Sequence, residues 1–308
     1  MHSRHACRRA LAPGVFAVLT LVGAPTARAQ TTLESVLRQQ NAQNIIGYVQ
    51  PLADLLAADL SIGFFHSASI AKNKLSFGLE LVATGSVVGD DQKVYTAHTP
   101  PGFNPATFET ATIFGGPGTE VTHASNSSLK YRGSDGFIDA SYFPSVVPQL
   151  RVGGLFGTEV AVRYFSSSII SSLDETDFPE LKITGFGVRH SISQYFTLPV
   201  DVAIGFGYND VTWGDILEMD ATTIGAQIGK TFSILSVYGG LASESGTMKL
   251  SYTSTDPNQT TPVSVDVDVK SSVRFTGGAT VKLGFLQLFG DLGVGSITTF
   301  SGGLRFGL

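Results

Sequence analysis

Val265–Leu283, reading VDVDVKSSVRFTGGATVKL, alternates without interruption. The odd positions are Val265, Val267, Val269, Ser271, Val273, Phe275, Gly277, Ala279, Val281 and Leu283. The even positions are Asp266, Asp268, Lys270, Ser272, Arg274, Thr276, Gly278, Thr280 and Lys282. Successive side chains of a strand point to opposite faces, so the stretch has one apolar face and one charged or small face. Strands of soluble proteins run to about five or six residues. The length here predicts a transmembrane strand, about 9 to 11 residues of it in the bilayer, continuing into a protruding loop.

The pattern recurs. Val200, Val202, Ile204, Phe206 and Tyr208 alternate with Asp201, Ala203, Gly205, Gly207 and Asn209, and Val152, Phe156, Val160, Val162 and Tyr164 alternate with a face holding Arg151, Glu159 and Arg163. Lipid offers the backbone no hydrogen-bond partner, so the β solution in a membrane is a closed barrel. The charged face then lines the lumen, and Arg151, Glu159, Arg163, Arg189, Asp201, Arg274, Lys282 and Arg305 share the inward parity. Two readings stay open: opposed charges around open space select permeating solutes, or they pair and fill a narrow barrel.

Counting back from Leu308, strands are expected near 299–308, 286–295, 265–283, 237–253, 221–232, 200–208, 182–195 and 150–166, with a further hairpin at 60–67 and 75–82. The connections 196–199 and 233–236 are tight, whereas 167–180, 210–220 and 254–264 are long and polar. That asymmetry separates periplasmic turns from extracellular loops and puts both termini in the periplasm. The Pro-, Gly- and Ser-rich stretch 88–149 reads as a long irregular insertion that begins and ends on the periplasmic side, adding no strands or an even number. The fold class is therefore all-β, an antiparallel transmembrane β-barrel of 10 (or 12) strands spanning 59–308. Ahead of it, Leu33, Leu37, Ile45, Ile46, Leu52, Leu55 and Leu56 predict a short N-terminal helical segment within 30–58, broken at Gly47 and Pro51, that plugs the lumen or lies at its periplasmic mouth.

Residues 1–29 carry Arg4, Arg8 and Arg9, an apolar run from Leu11 to Val22 and Ala27-Arg28-Ala29, the grammar of a cleaved signal peptide. Cys7, the single cysteine, precedes the apolar run, so the mature chain has no disulfide and no thiolate metal site. Without the signal's four arginines, 16 basic residues face 25 acidic ones, which argues against nucleic acid as a partner. The 43 % apolar content is too high for a disordered chain.

His66, His98, His123 and His190 show no metal-ligand spacing, and His66 and His190 fall on the lipid-facing parity, a poor place for a base. No catalytic, cofactor or metal residue is expected, hence no enzyme and no cofactor. Gly115-Gly116-Pro117-Gly118 lacks the Lys-Ser/Thr of a phosphate loop and reads as a turn. Asp174, Glu175, Asp177 and Glu180 form an acidic outer loop, solvated or able to take a divalent cation.

The chain ends Ser301-Gly302-Gly303-Leu304-Arg305-Phe306-Gly307-Leu308. Ser301, Gly303, Phe306 and Leu308 resemble the C-terminal assembly signal of outer-membrane barrels, with Leu308 in place of the usual aromatic. The stretches Tyr48–Leu52, Ser61–His66 and Pro148–Tyr164 resemble a family of Gram-negative outer-membrane β-barrel proteins of the domain-of-unknown-function type, and more loosely the outer-membrane transporters of hydrophobic compounds. The resemblance implies the cell outer membrane as location, with its lipid, the barrel-assembly machinery and a small-molecule solute as partners. A channel or transporter for small, even hydrophobic, molecules is the expected function. A structural or adhesive barrel working through its loops is the alternative, and a lipid-modifying enzyme the third reading. Protein extracted from outer membranes should migrate faster in detergent gels before boiling than after; identical migration would count against a closed barrel.

Overall fold

The computed structural model describes residues 42–136, 138–169, 179–253 and 262–307. The expected signal peptide 1–29, Leu33 and Leu37 of the expected helical segment, the loop acids Asp174, Glu175 and Asp177, and Leu308 lie outside them. A helix, α1 (Ala42–Ser61), comes first. Ten antiparallel strands then close into a barrel: β1 (Asn73–Val87), β6 (Tyr142–Leu155), β7 (Thr158–Ser166), β8 (Leu181–Ser191), β9 (Asp201–Trp213), β10 (Leu217–Phe232), β11 (Leu235–Thr253), β13 (Ser272–Leu283), β14 (Leu286–Val294) and β15 (Thr299–Gly307). β15 pairs with β1 to complete the ring. An additional strand, β12 (Pro262–Asp268), lies on the upper part of β11.

Ten is the expected number, reached with different members. Residues 150–166 are not one strand but two, β6 and β7, joined at Phe156 and Gly157, both at positive φ. Val152 pairs with Val160, so even-numbered residues face outward on both arms and parity is the same on either side of the turn, apart from an irregularity at Gly154 and Leu155. Residues 60–67 are not a strand either; they end α1 and continue inside the lumen. Consequently β1 crosses once, and the insertion leaves and rejoins the barrel at the rim opposite the turns at Phe156–Gly157 and Ser233–Ile234, the reverse of the expected side. It is also less irregular and shorter than expected. It holds the hairpins β2 (Val94–His98) with β3 (Thr107–Ala111) and β4 (Glu120–His123) with β5 (Asn126–Arg132), packed on Ala97, Phe108 and Val121, and Tyr142–Gln149 already belongs to β6. The expected loop 210–220 is a tight turn at Gly214, because β9 and β10 run on to Trp213 and Leu217. Gly47 and Pro51 do not break α1. A Cβ at Gly47 would lie 2.3 Å from the Tyr95 ring, so this glycine serves a close approach.

Across β8 to β12 the barrel reverses polarity at one height. Below it, the outward row Val188, Phe206, Ile224, Ser243, Val273 is mostly apolar, and the inward row Gly187, Gly207, Thr223, Glu244, Ser272 is small or polar. Above it, the outward row is Thr184, Asp210, Asp220, Thr247, Asp268, while the inward row is Ile183, Val211, Met219, Met248, Val267, all buried in the main core. The lower zone is organised for lipid outside and the upper zone for water outside.

The single alternating run 265–283 passes through this reversal. Thr247 pairs with Asp268 and Glu244 with Ser272, so three residues, Val269 to Ser271, oppose two on β11. One extra residue makes a β-bulge and exchanges the two faces. Val265, Val267 and Val269 are buried inside, whereas Val273 and Phe275 are exposed outside. The expected continuous strand is thus two strands of opposite facing.

Placing a charge on the outward parity should separate the zones. Ile228→Arg, at mid-height of the apolar band, should cost about 2–4 kcal/mol, and Thr247→Arg, above the reversal, close to nothing. Urea unfolding in lipid followed by fluorescence of the one tryptophan, Trp213, would measure both; equal costs would show the band to be misplaced.

Candidate functional site

The lumen is filled by the chain's own N-terminal part. α1 begins under the insertion, where the Asn44 amide donates to the His98 carbonyl (2.9 Å) and the Tyr48 hydroxyl to the Asp135 carbonyl (2.8 Å). Burial raises the Tyr48 phenol above its ordinary pKa. The helix then descends along β1: the Ser86 hydroxyl donates to the Leu55 carbonyl (3.0 Å) and the Thr84 hydroxyl to Asp59 (2.9 Å). Ile45, Tyr48, Val49, Leu52 and Leu55 are buried against the apolar inner face of the upper wall. The unpaired edge of β12 is covered as well, since Gln50 donates to the Asp268 carbonyl and the Lys270 amide donates to Asp54.

α1 ends at the level where the wall turns polar. A helix end leaves carbonyls without intrahelical partners and carries partial negative charge. Wall side chains meet that need. Arg163 donates to the carbonyls of Leu60 (2.8 Å) and Ile62 (2.9 Å), Arg274 to Ser61 (3.0 Å), and Asn209 to Leu60 (3.0 Å). Gly63 follows at φ +80°, as a residue just past a helix end often does. Arg151 then donates to the Phe64 carbonyl (2.6 Å) and Gln227 to that of Phe65 (3.1 Å). The Arg163 guanidinium stacks 3.7 Å over the Phe64 ring, and Arg151 and Arg189 flank Phe65 at 5.3 and 4.9 Å. Inward glycines make the room: a Cβ at Gly187 or Gly207 would meet the Phe64 ring at 2.8 or 2.9 Å.

The charges of the wall pair with one another. Arg151 bridges Glu80 (2.7 Å) and Glu159 (2.5 Å), Arg189 joins Glu159 (2.9 Å), Arg305 joins Glu80 (2.7 Å), and Arg274 pairs with Glu244. Of the eight residues expected to line the lumen, Arg151, Glu159, Arg163, Arg189, Arg274 and Arg305 come together around the plug. Asp201, half-buried, and Lys282, exposed, sit apart at the tight-turn rim. Alternation along the chain had no way to mark Glu80 and Glu244 as their partners, or Asp291 as the partner of His66, although each is an acid on the inward parity of its strand. His66 corrects the expected lipid-facing position: it is buried in the lumen, stacked on Phe289 (3.5 Å between centroids) with Nδ1 3.1 Å from Asp291, while the Thr280 hydroxyl donates to its carbonyl. His190 does face outward, within reach of Thr158 and Tyr195. Glu180 accepts from the Ser166 and Ser168 hydroxyls.

A closed barrel with a lipid-type outer band and an inserted plug defines the class as outer-membrane β-barrel. Within that class the chain belongs to the family of unknown function DUF6588, whose pattern matches residues 9–308. No curated protein matches the sequence. Among solved structures the chain is similar to OmpT, an outer membrane protein of Vibrio cholerae, at 10 % identity over 77 % of this chain and all of that one, TM-score 0.27. It is also similar to Ail, the attachment invasion locus protein of Yersinia pestis, at 9 % identity over 77 % and 99 %, TM-score 0.28, and to the P. putida toluene transporter TodX at 13 % over 77 % and 67 %, TM-score 0.25.

Arg163→Ala strips the donor from the Ile62 carbonyl, at about 1–3 kcal/mol when left unmet, and one of two donors from the Leu60 carbonyl, which keeps Asn209. Amide exchange across Leu60–Phe65 should accelerate by about tenfold to a hundredfold while exchange in the wall strands stays unchanged. Exchange unaltered in the plug would remove Arg163 from its anchoring role.

Proposed function

We propose that this protein is a gated outer-membrane barrel that binds and passes small molecules, with α1 and the segment after it as a displaceable plug. The observation that carries this reading is the kind of contact holding Leu60–His66 in place. Those bonds run from wall guanidinium, amide and hydroxyl groups to plug carbonyls, and water or a polar solute can substitute for the plug at every one of them. The main apolar core lies in the upper zone, above the lipid band, and the lower plug adds to it only a few side chains such as Ile62, Phe64 and the His66–Phe289 stack. The tight-turn rim faces the periplasm in this reading, and the reversed-polarity zone with the hairpin insertion stands in the external medium. The chain reaches the outer membrane through its signal segment and the barrel-assembly machinery, and no catalytic step is assigned to it.

The insertion supports a second reading, a barrel that acts by adhesion. Its two hairpins have a small core of their own and a polar outer surface, so they present an ordered platform.

In planar bilayers the wild-type protein should show little conductance, and the double variant Arg163→Ala/Arg274→Ala should open frequently, with uptake of small solutes rising in cells that carry it. A double variant that assembles yet stays electrically silent and uptake-neutral would overturn the transport reading. Replacing the hairpins by a short turn should leave uptake intact; loss of cell attachment alone on that change would favour adhesion.

A further inference from the structure

Followed backwards from β1, the chain passes through the lumen once. Asn73 pairs with Leu155 beside the turn at Phe156–Gly157, and so stands at the rim of that turn. His66 is already inside, held by Thr280 and Asp291. The carbonyls of Ser61 and Leu60 meet Arg274 and Arg163 at the level where the wall turns polar. Asp59 and Leu55 lie beside Thr84 and Ser86, near the insertion end of β1. Asn44 has reached the insertion itself: its amide donates to the His98 carbonyl, and its side-chain oxygen accepts from the His98 amide (2.8 Å). The Ile113 amide donates to the Tyr48 carbonyl (3.1 Å). Gln43 and Ile46 are exposed at this end. Residues 42–72 therefore span the barrel from one rim to the other, and the chain ahead of Ala42 departs from the rim that carries the insertion.

We infer that this run is a thread: the barrel carries its own N-terminal segment across the outer membrane and displays it on the cell surface. The way back to the periplasm is closed on both sides of the wall. Inside, the lumen holds the plug, and the cavity of about 80 Å³ beside Ser61–Phe65 takes a few waters, not a second chain. Outside, an extended chain crossing the lipid band leaves its backbone groups unpaired, and a spanning helix needs about 20 apolar residues. The displayed segment, residues 30–41 once the signal is cleaved, reads QTTLESVLRQQN, polar except for Leu33, Val36 and Leu37. Loop lengths alone put both termini in the periplasm; the thread reverses this for the N-terminus. β15 keeps the other end there, since the Gly307 amide donates to the Phe285 carbonyl at the opposite rim. The inference rests on the orientation given with the transport reading, insertion outward, and not on transport itself.

The test uses the full-length protein in intact cells. Cys7 lies in the expected signal peptide, so the mature chain brings no thiol of its own. Three single-cysteine variants are probed with a maleimide carried on a polyethylene glycol too large for porins. Gln43→Cys reports the outer end of the thread, Ser127→Cys the insertion and Thr197→Cys the opposite rim, all at exposed positions. An epitope tag set between Thr32 and Leu33 and stained with antibody reports the segment ahead of α1, and it decides where the insertion screens Gln43 from the bulky reagent. On intact cells the tag should stain, and Gln43→Cys and Ser127→Cys should label at least tenfold above Thr197→Cys, which reacts once the outer membrane is permeabilised. Heat-modifiable migration verifies that each variant is folded. A tag that stains only after permeabilisation, while Ser127→Cys labels on intact cells, would overturn the thread and leave the orientation standing. Labelling of Thr197→Cys in place of Ser127→Cys would overturn the orientation and the display with it. A silent, uptake-neutral barrel whose tag stains on intact cells would instead retire the transport reading and uphold the thread.

Discussion

The solvent outside the wall changes along the barrel axis, and most of the structure follows from that. In lipid the outer face has to be apolar and the lumen takes the polar side chains. Where the strands rise into water, burial of apolar surface again favours the inside. The inward row Ile183, Val211, Met219, Met248 and Val267 therefore lies just above a zone whose interior holds Arg163, Glu244 and Arg274. An apolar helix is the natural filling for the upper zone and a polar chain segment for the lower one. The single N-terminal run supplies both in order, and α1 ends at the level of the reversal.

That coincidence settles the electrostatics as well. Buried charges are tolerable only when paired and hydrogen-bonded, because their desolvation costs several kcal/mol each. Arg151, Glu80 and Glu159 satisfy one another in part, but the spare guanidinium donors need acceptors of another kind. The carbonyls of a terminating helix are such acceptors, and they carry the negative end of the helix dipole. Wall and plug therefore complete each other's hydrogen bonding when the plug is seated, and water or a solute has to take over those bonds when it leaves.

The class of fold was legible because alternation is local: each strand announces its two faces within a few residues. The same locality explains what was misread. A hairpin pairing Val152 with Val160 preserves parity, so the turn at Phe156 and Gly157 left no mark in the pattern. A one-residue bulge at Val269–Ser271 coincided with the polarity reversal, and two exchanges of sign cancelled into one smooth run. Ser61–His66 alternates as a strand would, yet its fate was decided by long-range partners, Arg163, Arg151 and Asp291, whose positions depend on closure of the ring. Parity named eight charges, and six of them gather around the plug. Their acidic partners and the helix carbonyls were not recognisable, since pairing across a lumen has no signature along the chain.

Only six residues, Ser67 to Lys72, join the buried His66 to the first residue of β1. A segment on so short a tether meets its binding surface at an effective concentration in the millimolar range or above, whatever the amount of protein in the membrane. Departure of the plug from the lumen is therefore an excursion rather than a dissociation, and its return needs no partner and no search. A solute competing for the same donors works against that fixed local concentration, so the tether sets the threshold at which an outside molecule can hold the barrel open.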